Sequence, residues 1–402
     1  MNRTAPRYVT FGLLVSLASL AGRSSEYVCS RQTADGLMQK QLRKVRLISV
    51  WLVLAACIGI VSLSALAAGL KPVTHAGTLQ GAPYRIDIPA AWNGDLVMLM
   101  HGYQPVGAPQ PAPMKPADAT AIFLKQGYAV AQSQYASQGW AVGDAIADNE
   151  RLRQQFIRAY ARPAHTYIYG FSLGGLEAVA SIERYRHVYA GALVMCGATV
   201  STPELMSHAV VTPLVVFDAL IPGVVPNLVA PDSPPFISPA AFAKALQAHP
   251  TQAVLLEKRL QETPETLPTL ALYYMLLREF EQRAGGMPVD NRKTIYHGFG
   301  DDAAVNRRVH RYAGSPAAMA YAQRNVTLTG RIDVPLVMQW NAFDQTIPSR
   351  FHPIYPDQVR AAGNGKLLTV LAPAGDEHCN FTDAQISAAF KTLVRKASSG
   401  GN

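Results

Sequence analysis

Gly170-Phe171-Ser172-Leu173-Gly174, followed by Gly175, is the segment of this chain best suited to covalent chemistry. It stands where the apolar run Tyr167-Ile168-Tyr169 gives way to a stretch rich in small residues. That spacing predicts a strand, a sharp turn at Ser172 and a helix. A nucleophile on such a turn sits in a strained backbone conformation, and side chains two positions to either side would collide; Gly170 and Gly174 remove them. The turn lifts the hydroxyl above a sheet and aims the free N–H groups of the new helix toward it.

A serine hydroxyl is a poor nucleophile until a base takes its proton. Of the 10 histidines, His378 is the candidate, because it lies in the polar loop Ala374-Gly-Asp-Glu-His-Cys-Asn380 directly after the last apolar run, 367–371. A loop at the C-terminal end of a parallel strand opens onto the same edge as the nucleophile turn. His165 and His187 precede their strands and so face the opposite end, and His75 is on an edge strand. His208, His249, His297, His310 and His352 fall away from the strand ends, where a packed or solvated histidine is the ordinary expectation.

The base in turn needs a carboxylate to fix its tautomer and stabilise the imidazolium. Asp344, in Asn341-Ala-Phe-Asp-Gln-Thr-Ile-Pro348, follows the apolar run 336–340 as His378 follows the next one. Asp376 is the rival by proximity to His378 and reads as a solvated loop residue; Asp301 and Asp302 lie in a helical interval. The turn His101-Gly102-Tyr103 closes the run 96–100. Its Tyr103 N–H, with that of Leu173, is the expected oxyanion hole. Gly102 allows a close approach, and the His101 side chain is expected to hold the loop. The alternative is an ordinary strand-ending turn.

Stepwise alternation of short apolar runs with helical periods predicts a parallel sheet flanked by helices. Runs at 74–79 and 84–88 read as a hairpin of edge strands. The continuous runs 96–100, 128–131, 166–169, 192–195, 336–340 and 367–371 read as further strands, about eight in all. Helices are expected at 119–126, 144–160, 174–185 and 383–396. Between Cys196 and Val334 no strand is legible, and helical stretches at 239–248, 252–262 and 267–283 predict a cap inserted after the sixth strand. Leu272, Tyr273, Met275, Leu276 and Phe280 would form the cap's core, with one or two lining the cleft. The boundaries are then 1–70 for a leader, 71–200 and 331–402 for the two parts of the core, and 201–330 for the cap.

Ser172, Asp344 and His378 in that chain order, with the His101-Gly102 turn upstream and a cap between, resemble the α/β-hydrolase superfamily over about residues 75–395. The resemblance implies that fold and hydrolysis through an acyl-enzyme. Gly285-Gly-Met-Pro-Val-Asp-Asn-Arg292 together with His378-Cys-Asn-Phe-Thr382 is similar to a group of secreted bacterial hydrolases. Feruloyl esterases and tannases also carry a cysteine directly after the catalytic histidine, bonded to one directly before the serine. Here Phe171 takes that preceding place, so that bridge cannot form. Cys196, at the end of the strand beside the nucleophile's strand, offers Cys379 a different partner; otherwise both are buried free thiols.

The first 70 residues differ from the rest. The basic run 38–46, the apolar run 47–65 and the small-x-small site Ala65-Leu66-Ala67 have the order of a secretory signal over 38–67, with translation beginning at Met38 and 1–37 a mis-assigned start. The alternatives are an uncut anchor through 47–65 or a lipoprotein acylated at Cys57. The leader carries about +6 of the formal charge of +9. What is left is not the profile of a nucleic-acid binder. A membrane partner is expected only if the leader is retained.

No H-E-x-x-H, C-x-x-C, P-loop or G-x-G-x-x-G is present, so neither metal nor cofactor is expected. The expectation is therefore a periplasmic or secreted serine esterase acting on a small ester with an apolar or aromatic part. A peptidase or amidase with the same triad is the alternative, and a catalytically silent binding protein a more distant one.

Overall fold

A computed structural model describes residues 71–399 apart from 113 and 116; the leader, with its signal, anchor and lipoprotein readings, lies outside the described residues. Eight strands form one sheet: β1 (Val73–Leu79), β2 (Ala82–Ile88), β3 (Leu96–Met100), β4 (Ala129–Ser133), β5 (Thr166–Phe171), β6 (Gly191–Met195), β7 (Leu336–Gln339) and β8 (Leu368–Val370). Their spatial order is β1-β2-β4-β3-β5-β6-β7-β8. β1 and β2 form an antiparallel hairpin and β2 runs antiparallel to β4, whereas the pairings from β4 through β8 are parallel. The hairpin turn Gln80-Gly81 has φ of 52° and 86°, as a two-residue turn matched to strand twist requires. Only β1 of the expected pair of edge strands is an edge; β2 lies between β1 and β4.

The strands fall within two residues of the apolar runs. Strands β3, β4 and β6 are buried at every position, which is why their sequences are continuous rather than alternating. Alternation survives in where the side chains go. Leu96, Met98 and Met100 of β3 join the core on one face, with Ile168 and Val194; Val97 and Leu99 join the other, with Tyr167 and Leu193. Helices α1 (Thr120–Lys125), α2 (Val142–Ala159), α3 (Leu173–Arg184) and α11 (Asp383–Ser399) supply the two outer layers. Phe156 of α2 and Leu176 of α3 pack on the first face. Phe123 of α1 and Phe390 of α11 pack on the second, with their rings edge to face at 4.9 Å.

Between β6 and β7 the chain is helical: α4 (Thr202–Leu220), α5 (Pro239–Ala248), α6 (Pro250–Leu260), α7 (Leu270–Ala284), α8 (Asp302–Arg308) and α9 (Pro316–Asn325). α5 begins as its sequence requires, with the Ser238 hydroxyl accepting from Ala241 N–H and Pro239 at the first position. Three of the six helices were not legible, as was α10 (Ile354–Ala361) beyond β7. In α4, a run of β-branched residues and Pro213 argue against a helix. The chain accommodates the proline by widening the preceding turns, Met206–Val211, into a π-helix. By length and composition α4 could cross a membrane, but most of it is buried within the protein.

Candidate active site

Because β5, β7 and β8 are parallel members of one sheet, the segments that leave their C-terminal ends share an edge. Ser172 follows β5 directly, Asp344 lies in the loop after β7, and His378 lies in the loop after β8. The Ser172 hydroxyl donates to Nε2 of His378 at 2.8 Å across 206 positions of sequence. Nδ1–H of His378 donates to the Asp344 carboxylate at 2.8 and 3.0 Å. One oxygen of that carboxylate also accepts from the N–H groups of Thr346 and Ile347, at 2.8 and 2.9 Å. Asp344 is 6% exposed, so its charge is held by hydrogen bonds rather than water. The imidazole Nδ1 is bonded to Asp344 and not to its rival Asp376, whose backbone pairs with Phe343 as a short bridge.

Ser172 adopts φ 55° and ψ −127°, the strained turn that the flanking glycines permit. A Cβ on Gly170 would run into the carbonyl of Gly174, and one on Gly174 into the carbonyl of Met100. The turn His101-Gly102-Tyr103 therefore packs directly on the Ser172 turn. Leu173 opens α3 and Tyr103 follows Gly102. Among the described residues neither of their N–H groups is bonded to a backbone carbonyl outside regular structure. The His101 ring stacks on Tyr135 at 4.0 Å, and its Nδ1 bonds the Gly102 carbonyl at 2.7 Å. Burial lowers the His101 pKa, so the ring is neutral, against the opposing pull of the carbonyls of Gly102 and Gln134.

Cys379 is bonded to Cys196, with Cα atoms 5.2 Å apart. A second tether was not foreseen. Asn341, 1% exposed, accepts from the Cys379 N–H through its side-chain oxygen and donates from its nitrogen to the carbonyls of Ala374 and Asn380. It thus ties the Asp344 loop to the His378 loop. The only sequence signal was an asparagine three positions before Asp344.

Ser172 opens into a narrow cavity of about 70 Å³. Its walls come from Tyr103 and Trp140 on the sheet side, from Leu205, Ala209 and Val210 of α4, from Leu272, Tyr273 and Leu276 of α7, and from Ile347 and Phe351 after β7. Among the described residues no charged side chain lines it. Of the residues read as cap core, Leu272, Tyr273 and Leu276 line the cavity and Phe280 is fully buried. The α4 contribution was missed together with its helix. Among the described residues no three His, Cys, Asp or Glu side chains are grouped to hold a metal ion.

No family model and no curated protein matches this chain. Among solved structures, it is similar to Est1E from Butyrivibrio proteoclasticus at 10% identity, covering 81% of this chain and 99% of that one with a TM-score of 0.42. It is also similar to a highly thermostable carboxyl esterase from Bacillus coagulans, at 11% identity, 80% and 99% coverage and a TM-score of 0.42. A puromycin-hydrolyzing peptidase of Mycobacterium tuberculosis aligns at 14% identity, over 83% of this chain and 40% of that chain, with a TM-score of 0.43. The strand order, the antiparallel β2, the parallel run from β4 to β8 and the strained serine turn between β5 and α3 give this chain the α/β-hydrolase fold.

Proposed function

We propose that the protein is a serine esterase that cleaves a carboxylic ester whose acyl part is apolar or aromatic. The observation that carries this reading is the hydrogen-bonded line Ser172–His378–Asp344 opening into a cavity without charged side chains. His378 takes the Ser172 proton as the hydroxyl oxygen attacks the ester carbonyl. The N–H groups of Leu173 and Tyr103 receive the developing oxyanion. The tetrahedral intermediate collapses, the C–O bond to the alcohol breaks, and His378 returns its proton to that oxygen. A water deprotonated by the same imidazole then attacks the acyl-enzyme, releasing the acid and restoring Ser172. Asp344 holds the Nδ1–H tautomer and offsets the imidazolium charge.

Helices α4 and α7 act in this reading as the cap, and the acyl group lies against them. A peptidase or aminoacyl amidase would need a charged partner for a peptide terminus, and the described residues of the cavity wall provide none. The Cys196–Cys379 bridge suits an oxidising compartment, which together with the basic-apolar-small order of residues 38–67 supports a periplasmic or secreted enzyme.

The test uses a fluorophosphonate probe, then a panel of p-nitrophenyl esters against aminoacyl-anilides. The expected result is labelling at Ser172, ester turnover well above anilide turnover, and loss of about 10⁴-fold or more in kcat for Ser172→Ala. Turnover by that variant close to the parent would end the reading.

A further inference from the structure

Behind the oxyanion turn lies a buried chain of polar groups that the triad does not use. The backbone N–H of His101 donates to the Tyr135 hydroxyl at 3.0 Å, and that hydroxyl donates to Oε2 of Glu177 at 2.8 Å. Glu177 is 0% exposed and Tyr135 3% exposed. A carboxyl group in such a place costs several kcal/mol if charged and unpaired. Burial raises its pKa to about 8, despite the stabilising bond from Tyr135, so it stands there as a neutral acid. Among the described residues Oε1 has no protein partner. Tyr135 itself is held at φ 60°, a left-handed conformation unusual for a tyrosine, and its N–H bonds the Ser133 hydroxyl at 3.1 Å.

The location of the two ends gives this arrangement its meaning. Glu177 sits four positions after Leu173 on α3, so it shares a helix face with the residue that supplies one oxyanion N–H. His101 sits two positions before Tyr103, which supplies the other. Between them, Gly102 touches the nucleophile: a Cβ there would stand 3.0 Å from Cβ of Ser172. The hydrogen-bonded chain Glu177–Tyr135–His101 therefore joins the helix that carries one donor to the turn that carries the other.

We propose that Tyr135 and Glu177 are positioning residues of the oxyanion hole, acting through His101 and touching neither substrate nor triad. The proposal rests on the serine hydrolase reading. Its consequences follow from transition-state binding: a donor displaced from the developing oxyanion lowers kcat and leaves ground-state ester affinity nearly unchanged.

The experiment compares Tyr135→Phe, Glu177→Leu and Glu177→Gln in the full-length protein on one p-nitrophenyl ester, with Ser172→Ala alongside. Tyr135→Phe keeps the ring stacked on His101 and removes both hydrogen bonds; the glutamine keeps a neutral acceptor for Tyr135. Expected are kcat losses of about 10- to 100-fold for Tyr135→Phe and Glu177→Leu, with KM within about threefold, and kcat within about threefold of the parent for Glu177→Gln. Affinity for a boronic acid, which forms a tetrahedral adduct on the serine, should fall in parallel with kcat. Wild-type kcat and boronate affinity in Tyr135→Phe would overturn the proposal. So would losses that merely track the folded fraction measured by circular dichroism, or a glutamine variant as impaired as the leucine one. Full activity in Ser172→Ala would instead sink the underlying hydrolase reading.

Discussion

Cys379, the residue after His378, is bonded to Cys196, the residue after β6, although 183 positions separate them. β6 neighbours β5, so the bridge ties the His378 loop to the sheet beside the Ser172 turn. Reduction, or the double substitution Cys196→Ser with Cys379→Ser, removes a cross-link of the kind worth about 2–4 kcal/mol. A lower thermal midpoint and a kcat reduced several-fold with KM little changed are expected. Thermal melts and kinetics with and without reductant check this; unchanged kcat in the reduced protein would show that Asn341 alone holds the loop.

Gly102 faces Ser172 closely enough that a methyl group would press on both the Cβ, at 3.0 Å, and the Oγ, at 3.4 Å. Gly102→Ala should fold and, on the proposed esterase reading, bind ester while displacing the Ser172 hydroxyl by a few tenths of an ångström. Because misplacement near the reacting atoms is amplified in rate, kcat should fall about 10- to 100-fold. Steady-state kinetics on a properly folded variant decide it.

The cavity wall at Ala209, on α4, is small and faces other apolar side chains. Ala209→Phe would fill space that an acyl chain needs. Turnover of p-nitrophenyl acetate should persist within about threefold, while kcat/KM for octanoyl or cinnamoyl esters drops at least about tenfold. A variant that loses all chain lengths equally would place the acyl group elsewhere.

The acid at Glu177 also makes stability depend on pH. Its carboxyl has a pKa of about 8 when folded, against 4.5 as the ordinary value, so the native state keeps a proton that the unfolded chain has released. Unfolding therefore releases a proton across that window, and stability declines as pH rises from about 4.5 toward 8. Glu262 and Glu281, raised by burial to about 7, add to the same decline. Glu177→Gln cannot release a proton, so its thermal midpoint should gain on the parent steadily from pH 5 to pH 8. Parallel curves for the two proteins would mean that Glu177 is charged when folded.

The wholly buried strands, the glycines around Ser172 and the loops after β7 and β8 were legible because each rule acts within a few residues. A parallel strand must be apolar on both faces, and a strained serine turn excludes neighbouring side chains. His378 and Asp344 could be picked out by placement alone, since topology dictates which loops share an edge. α4 was hidden because local preference opposes it. Val210, Val211 and Pro213 argue against a helix, and only burial against α7 and the core outweighs them.

By itself the sequence determined that the strand over 96–100 is buried and central, where the serine turn forms and which loops carry the imidazole and carboxylate. Those features follow from backbone sterics and from hydrophobic period, both of which act along the chain. Tertiary structure alone decided the Asn341 tether, the walls of the cavity and the Glu177–Tyr135–His101 chain. Each depends on side chains far apart in sequence meeting in a water-free interior. There an unshared hydrogen bond is costly enough to fix a partner, and no local pattern records which partner it will be.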